Sequence, residues 1–161
     1  MKIKIISGWS QPGGSTVAHI NLCNLFNEKG VDCTFYGPHD WHKDKCKSGN
    51  SHTDYKPEKD DIVIHHYLPI TATFPGNKKS IYSCHETNLL PLTEPSPVNG
   101  FKLDLKVFDF IHCVSMFQKK WHKVPPEHKV YVIPNVISDL KESTRKPDGQ
   151  KIAWLIVTGK H

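Results

Sequence analysis

The sequence has 161 residues, a length typical of one domain. Its formal net charge is +5 and 37% of its residues are hydrophobic, a composition that excludes an intrinsically disordered chain. The apolar runs fall far short of the ~18 residues that a membrane span requires. Residues 2–7 (KIKIIS) have the alternation of a strand and lack the apolar core and cleavage site of a signal peptide. We therefore expect a cytoplasmic protein.

The positive charge and the cysteines set two further limits. The lysines are scattered and form no block of five like charges, so nucleic-acid binding is not expected, while a peripheral contact with an anionic membrane surface stays compatible with the charge. The five cysteines contain no C-x-x-C pair, and Cys84 and Cys113 lie in strand-like runs, where a thiol acts as a small apolar filler. This pattern favours a reducing compartment over a disulfide framework.

The first elements along the chain are predicted clearly. A strand over 2–7 leads through a Gly- and Ser-rich loop into a helix over 16–29, whose apolar residues recur every three or four positions. Gly30 stands at the expected C-cap, and a strand over 31–37 follows. The order strand, helix, strand within about 37 residues is typical of a βαβ unit with parallel strands.

The remaining chain continues the pattern with more irregular connections. Residues 38–60 are polar and long for a simple connection, which predicts a solvated, functional or mobile loop. A partial helix is predicted over 100–110 and a helix over 115–124, which stops before Pro125. Apolar runs predict four more strands, at residues 61–68, 80–86, 110–116 and 129–135.

Strands that are apolar on both faces and alternate with helices favour a parallel sheet covered by helices. The predicted fold class is therefore α/β, a Rossmann-like parallel sheet with flanking helices over residues 1–140. Residues 141–150 have the composition of a linker, and residues 151–159 (KIAWLIVTG) look like the first strand of a further domain. We therefore expect residues 141–161 to open a C-terminal domain that is missing from this chain.

The loop between the first strand and the first helix is the strongest candidate for a ligand site. Glycines there allow a ligand to approach the backbone, and a helix N-terminus offers free N–H groups. A dinucleotide fingerprint requires G-x-G-x-x-G, which Gly8, Gly13 and Gly14 do not supply. A phosphate-binding P-loop requires lysine where Gly14 stands. A tight turn without a ligand is the remaining alternative.

The segment PGGSTVAHINLCNLFNEKGVDCTFYG resembles the opening of retaining, nucleotide-sugar-dependent glycosyltransferases of the GT-B fold, of the group 1, family 4 type. That family has a Gly-Gly loop before its first helix, here Gly13-Gly14, and a Lys/Arg-Gly pair before its second strand, here Lys29-Gly30. The resemblance continues through residues 61–68 and 80–86 and ends at KVYVIPNVISD. It departs from the family pattern at Val136, where the family has glycine after Ile-Pro-Asn.

The resemblance implies the N-terminal, acceptor-side domain of a hexosyltransferase that moves a sugar from a nucleotide diphosphate sugar to a hydroxyl acceptor. It implies a catalytic role for His85 and substrate binding by Gly13, Gly14, Ser15 and Glu86. No metal or resident cofactor is implied. Because the chemistry of this fold is assembled between two domains, the isolated chain is expected to be inactive. A non-catalytic nucleotide- or small-ligand-binding module of flavodoxin-like shape is the alternative.

Other candidate residues have weaker signals. His65 and His66 are adjacent in a strand and should point to opposite faces. His39, His42, Cys46 and His52 match no usual zinc spacing and are expected in a solvated loop. Among the tryptophans, Trp121 and Trp154 are expected in the core, whereas Trp9 and Trp41 lie in loops and are candidates for stacking on a sugar ring.

Overall fold

The computed structural model describes residues 1–8, 13–37, 42–66, 79–85 and 107–135. The structure does not describe five residues that carry sequence-based predictions, namely Trp9, His39, Trp41, Glu86 and Trp154. The predicted linker and further strand over 141–161 also lie outside the described residues. The described part contains seven strands in one parallel sheet, which confirms the predicted α/β, Rossmann-like fold class. No described helix is long and apolar enough to cross a membrane.

The elements follow the predicted order with one addition. The first βαβ unit consists of β1 (Lys2–Ser7), α1 (Gly14–Glu28) and β2 (Asp32–Gly37). The short strand β3 (Gly49–Ser51) and one 3-10 turn (His52–Asp54) then precede the second half of the sheet. That half contains β4 (Asp61–His66), β5 (Lys79–Cys84), β6 (Phe110–Cys113), α2 (Met116–Trp121) and β7 (Val130–Val132).

The strand order in the sheet is β3-β2-β1-β4-β5-β6-β7. The chain therefore moves outward from β1 to β3, returns to the middle, and continues outward from β4 in the opposite direction. The point of reversal lies between β1 and β4, whose register pairs Ile3 with Ile62 and Ser7 with His66. In open parallel sheets, ligands bind outside the carboxyl ends of the strands at this switch point.

The core lies between α1 and one face of the sheet. Ile5 and Phe35 are fully buried there, and Ile20 and Cys23 of α1 pack against them. On the opposite face, Ile6 and Val63 are buried with Tyr55. The strands are thus buried on both faces, as their continuous apolar runs predicted. Helix α1 ends as expected, because Gly30 adopts a φ of 76°, a left-handed conformation that favours glycine.

Most described residues of the segment 38–60 are exposed, as predicted for a solvated loop, but His42, Cys46 and Tyr55 are buried. His42 is fully buried and its ring meets Phe35 edge-on at 5.3 Å, while Cys46 joins the core beside Cys23. Strand β3 pairs with β2, so the segment closes the edge of the sheet. The polar composition concealed this role because only a few buried side chains are needed to cover one edge strand.

Phe110 begins strand β6, as the predicted strand over 110–116 requires. The partial helix predicted over 100–110 stays a prediction, since residues 100–106 lie outside the described residues. One prediction near the C-terminal part of the sheet is wrong. Trp121 is not in the core: it is 39% exposed and stacks on Phe117, with 6.2 Å between ring centroids. The buried residue of α2 is Gln118, whose side-chain oxygen accepts a hydrogen bond from the backbone of Val114. This short helix therefore presents its aromatic side chains outward.

Candidate functional site

Serine and histidine side chains alternate across four neighbouring strands of the sheet. The register pairs Ser7 of β1 with His66 of β4, and Ser83 of β5 with His112 of β6. His65 pairs with Tyr82, which brings the next residues, His66 and Ser83, to the same level. Side chains at paired positions share one face of a parallel sheet, here the face that α1 covers. We call these four residues the Ser–His row.

A fifth side chain, from helix α1, lies on this row. His19 is 1% exposed, and its ring stacks on His66 with 4.2 Å between centroids and 24° between planes. Its Nε2 atom is 2.9 Å from Ser83 Oγ, and its Nδ1 atom is 2.7 Å from the backbone oxygen of Ser15. A carbonyl oxygen only accepts hydrogen bonds, so His19 Nδ1 carries the proton and donates it. His19 thus joins the first turn of α1 to the middle of the sheet.

His85 follows the last residue of β5 and lies beside the same group. Its ring centroid is 4.4 Å from that of His19, 5.6 Å from that of His66 and 5.9 Å from that of His112. We call these four residues the histidine cluster. His85 is half-buried, whereas His19 and His66 are each 1% exposed. Among His19, His66 and His85, the last is therefore the ring that a ligand reaches most directly.

The row is held by short hydrogen bonds between neighbouring strands. Ser7 Oγ is 2.9 Å from His66 Nδ1, and the backbone N–H of Gly8 donates to the carbonyl oxygen of His66 at 3.0 Å. Ser83 Oγ is 2.8 Å from His112 Nδ1. These bonds fix the rings of His66 and His112 in place. The Nε2 atom of His66, however, is buried and has no hydrogen-bond partner among the described residues.

Three rings of the histidine cluster, those of His19, His66 and His85, have pKa values that burial lowers far enough to keep them neutral at pH 7. Burial lowers the pKa of His66 to about 2 and the pKa of His85 to about 2, and neighbouring imidazoles contribute to both shifts. Burial also lowers the pKa of His19 to about 4. A neutral imidazole has one N–H donor and one nitrogen acceptor, so these groups can bind hydroxyl groups in either direction.

The N-terminus of α1 reaches the same edge of the sheet. Gly13 caps the helix in an extended conformation, with φ −153° and ψ 165°, and no side chain caps the first turn. Gly14 begins the helix without a positive φ, and a Cβ atom at this position would meet no described atom within 4 Å. Neither the backbone conformation nor internal packing therefore demands glycine at position 14. Its predicted role as a point of close ligand approach stays a prediction.

Replacing Gly14 by valine tests that role. The open space around the position predicts a thermal midpoint close to that of the wild type, because a Cβ atom there meets no described atom within 4 Å. If a ligand approaches the backbone here, ligand affinity should fall at least tenfold, or ~1.4 kcal/mol. The measurement is a melting curve and a titration on both proteins, with Gly14→Ala as the smaller step. Unchanged affinity in both variants would remove the loop from the site.

The structure places the other sequence-predicted residues as follows. Ser15 is half-buried and contributes its backbone oxygen to His19. His65 and His66 point to opposite faces, as predicted, because His65 lies against Phe108 at 5.2 Å on the face away from His19. His65 is therefore separate from the histidine cluster. Within the described ranges, no three His, Cys, Asp or Glu side chains are arranged to hold a metal ion.

A separate cavity of about 300 Å³ lies at the amino ends of β5, β6 and β7. It is lined by Lys79, Asp109 and Lys129 among others, and Lys79 pairs with Asp109 at 2.9 Å. These amino ends of the strands lie on the opposite side of the sheet from the carboxyl ends, where Ser7 and His85 are found. The cavity therefore does not belong to the histidine cluster.

Sequence reasoning missed His19, His112, Ser7 and Ser83. His19 falls on the buried stripe of an amphipathic helix, a position usually filled by an apolar residue. The signal that was available is that β4, β5 and β6 each carry a histidine or serine at or near the carboxyl end of an apolar run. In a parallel sheet the carboxyl ends of neighbouring strands lie side by side. This pattern was sufficient to predict that these serines and histidines form one site.

Comparison of the chain with protein-family models, with curated proteins and with solved structures finds no significant match in any of the three.

Proposed function

We propose that this chain is the acceptor-side half of a GT-B glycosyltransferase, which transfers a sugar from a nucleotide diphosphate sugar to a hydroxyl acceptor. The histidine cluster and the N-terminus of α1 form its part of the active site. The observation that carries the proposal is a neutral, half-buried His85 at the carboxyl end of β5, the strand next to the switch point of the parallel sheet.

The position of the site supports this proposal. The strand order reverses between β1 and β4, and Ser7 and His66 at the ends of these two strands are bonded to each other. His85 and the first turn of α1 lie around this pair, since both contact His19. A ligand bound outside the strand ends would therefore meet an imidazole on one side and a helix N-terminus on the other.

The chemistry of the residues supports it as well. A sugar presents several hydroxyl groups, each of which donates and accepts hydrogen bonds, and a neutral imidazole offers both partners. The buried Nε2 atom of His66, which has no described partner, is a further polar atom in this group. The donor's phosphates would be bound by the free N–H groups at the start of α1 and by basic side chains. The proposal needs no resident metal or cofactor.

The test uses a protein in which a donor-side GT-B domain is joined after residues 1–161, which we call the extended protein, together with the 161-residue chain itself. Both are incubated with UDP-, GDP- and ADP-sugars and a panel of hydroxyl acceptors, and sugar transfer is measured. We expect turnover in the extended protein and none in the isolated chain.

Binding measurements separate the proposal from its alternative. Tight binding of a nucleotide or small ligand by the extended protein without any transfer would support a non-catalytic binding module. Robust transfer by the isolated chain would contradict the assignment to one half of a two-domain enzyme.

A further inference from the structure

A continuous line of hydrogen bonds crosses the molecule from α1 to β7. It begins at the carbonyl oxygen of Ser15 and passes through His19 and Ser83, with contacts of 2.7 Å and 2.9 Å. It continues from Ser83 Oγ to His112 Nδ1 at 2.8 Å and from His112 Nε2 to the carbonyl oxygen of Ile133 at 2.8 Å. The line therefore contains four hydrogen bonds between two terminal carbonyl groups.

The number of protons in this line decides its charge. Each hydrogen bond needs one proton, and the two terminal carbonyl oxygens supply none. A neutral His19, a neutral His112 and the hydroxyl of Ser83 supply one each, three in all, whichever tautomers they adopt. One of the four contacts would then bring two lone pairs together at 2.9 Å or less. A fourth proton removes this conflict.

The fourth proton belongs on His112. His19 is 1% exposed, and burial lowers its pKa to about 4, so it stays neutral. His112 is half-buried, and water can solvate part of its charge. With His112 charged, its two N–H groups donate to Ser83 Oγ and to the carbonyl of Ile133. Ser83 can then donate to His19 Nε2, and His19 Nδ1 donates to Ser15.

The elements that surround His112 each bring a charged or titratable side chain near it. His85 follows β5, and Tyr131 of β7 pairs with His112 in the register. Helix α2 also packs on β6 and carries Lys119 and Lys120 on its exposed surface. None of these described groups is a carboxylate, and within the described residues the oxygen atoms that face the charge on His112 are the hydroxyl and carbonyl oxygens of the line.

We propose that this line holds one proton more than its neutral side chains supply, so that His112 is an imidazolium in the folded protein, and that this cation adds to the burial that keeps His85 neutral. The ring of His85 lies 5.9 Å from that of His112. A positive charge at that distance opposes a second one on His85. The inference is independent of the proposed glycosyltransferase activity.

The proposal is tested by nitrogen NMR of the assigned histidine rings in the 161-residue protein at pH 7. We expect both ring nitrogens of His112 to be protonated, and His19 to be neutral with its proton on Nδ1. A neutral His112 in the wild type would overturn the proposal without the need for any variant.

Replacing Ser83 by alanine gives a second measurement. Without the hydroxyl, the line divides into two separate bonds, His19 to Ser15 and His112 to Ile133, and two neutral histidines satisfy both. We therefore expect His112 to lose its second proton at pH 7 in Ser83→Ala and to keep it in the control Ser80→Ala, on the same strand. Retention of the charge in Ser83→Ala would also overturn the proposal.

The effect of the charge on His112 upon the protonation of His85 is measured separately. In His112→Gln the positive charge is absent, so the pKa of His85 should rise, while burial still holds it below the ordinary value for histidine. The readout is the protonated fraction of His85, measured by NMR at the lowest pH at which both proteins stay folded. A purely structural role of His112 would leave this fraction unchanged, and an unchanged fraction would overturn the electrostatic role.

Discussion

Lowering the pH from 7 to 5 is expected to destabilise the protein strongly, because its buried histidines cannot take up protons without unfolding. In the folded state burial lowers the pKa of His66 and of His85 to about 2 and that of His19 to about 4. In the unfolded chain these groups bind protons near pH ~6.5. The unfolded state therefore holds more protons at pH 5, and the free energy of unfolding falls as the pH falls.

The size of this effect follows from the number of protons. Each histidine contributes about 1.4 kcal/mol per pH unit where only the unfolded state is protonated. Between pH 7 and pH 5 this amounts to roughly 2 kcal/mol for each ring, and on the order of 5 kcal/mol for the three together. Such a loss is comparable to the whole stability of many domains. Carboxylates with lowered pKa values, such as Asp109, add the same dependence only at lower pH.

The measurement is denaturant unfolding of the 161-residue chain at several pH values from 5 to 7. His66→Gln should reduce the slope of unfolding free energy against pH by about one proton, or ~1.4 kcal/mol per pH unit. His128→Gln, at the opposite edge of the sheet, controls for the substitution itself. A wild-type curve that is flat between pH 5 and pH 7 would show that the cluster is hydrated and protonated in the folded state.

The sheet could be predicted from the sequence because its strands are buried on both faces. Continuous apolar runs such as residues 62–64, which alternate along the chain with an amphipathic helix that ends at Gly30, favour strands of a parallel sheet covered by helices. Strand β3 could not be predicted in this way. It has three residues, Gly49–Ser51, none of them apolar, and it exists because an edge strand, β2, is there to pair with it.

The site could be predicted only in part, for a related reason. His85 directly follows strand β5, and Gly13-Gly14 stand at the start of helix α1. The carboxyl ends of parallel strands and the first turns of the helices that follow them lie on the same side of the sheet, so these residues could be grouped from the sequence. His19 and His112 lie inside elements, where the sequence pattern favours apolar packing. Their roles depend on the strand register, which brings Ser83 level with His112, and on the rotation of α1, which turns His19 towards the sheet. Neither quantity is determined by local sequence.

Replacing His85 by glutamine in the extended protein should lower kcat/KM for sugar transfer by about 100-fold or more, or ~2.7 kcal/mol, the loss typical of a group that transfers or orients a proton. Glutamine keeps a hydrogen-bonding side chain of similar reach but cannot exchange a proton, so a binding role alone would show mainly as a higher KM with little change in kcat. The thermal midpoint should stay close to that of the wild type, because His85 is half-buried and its ring meets its neighbours without a hydrogen bond to any described residue.

His128→Gln, outside the histidine cluster, is the matched control and should retain full activity. Wild-type kcat/KM in His85→Gln would remove the catalytic role from this ring and leave the glycine pair at the start of α1 as the remaining candidate in the described site.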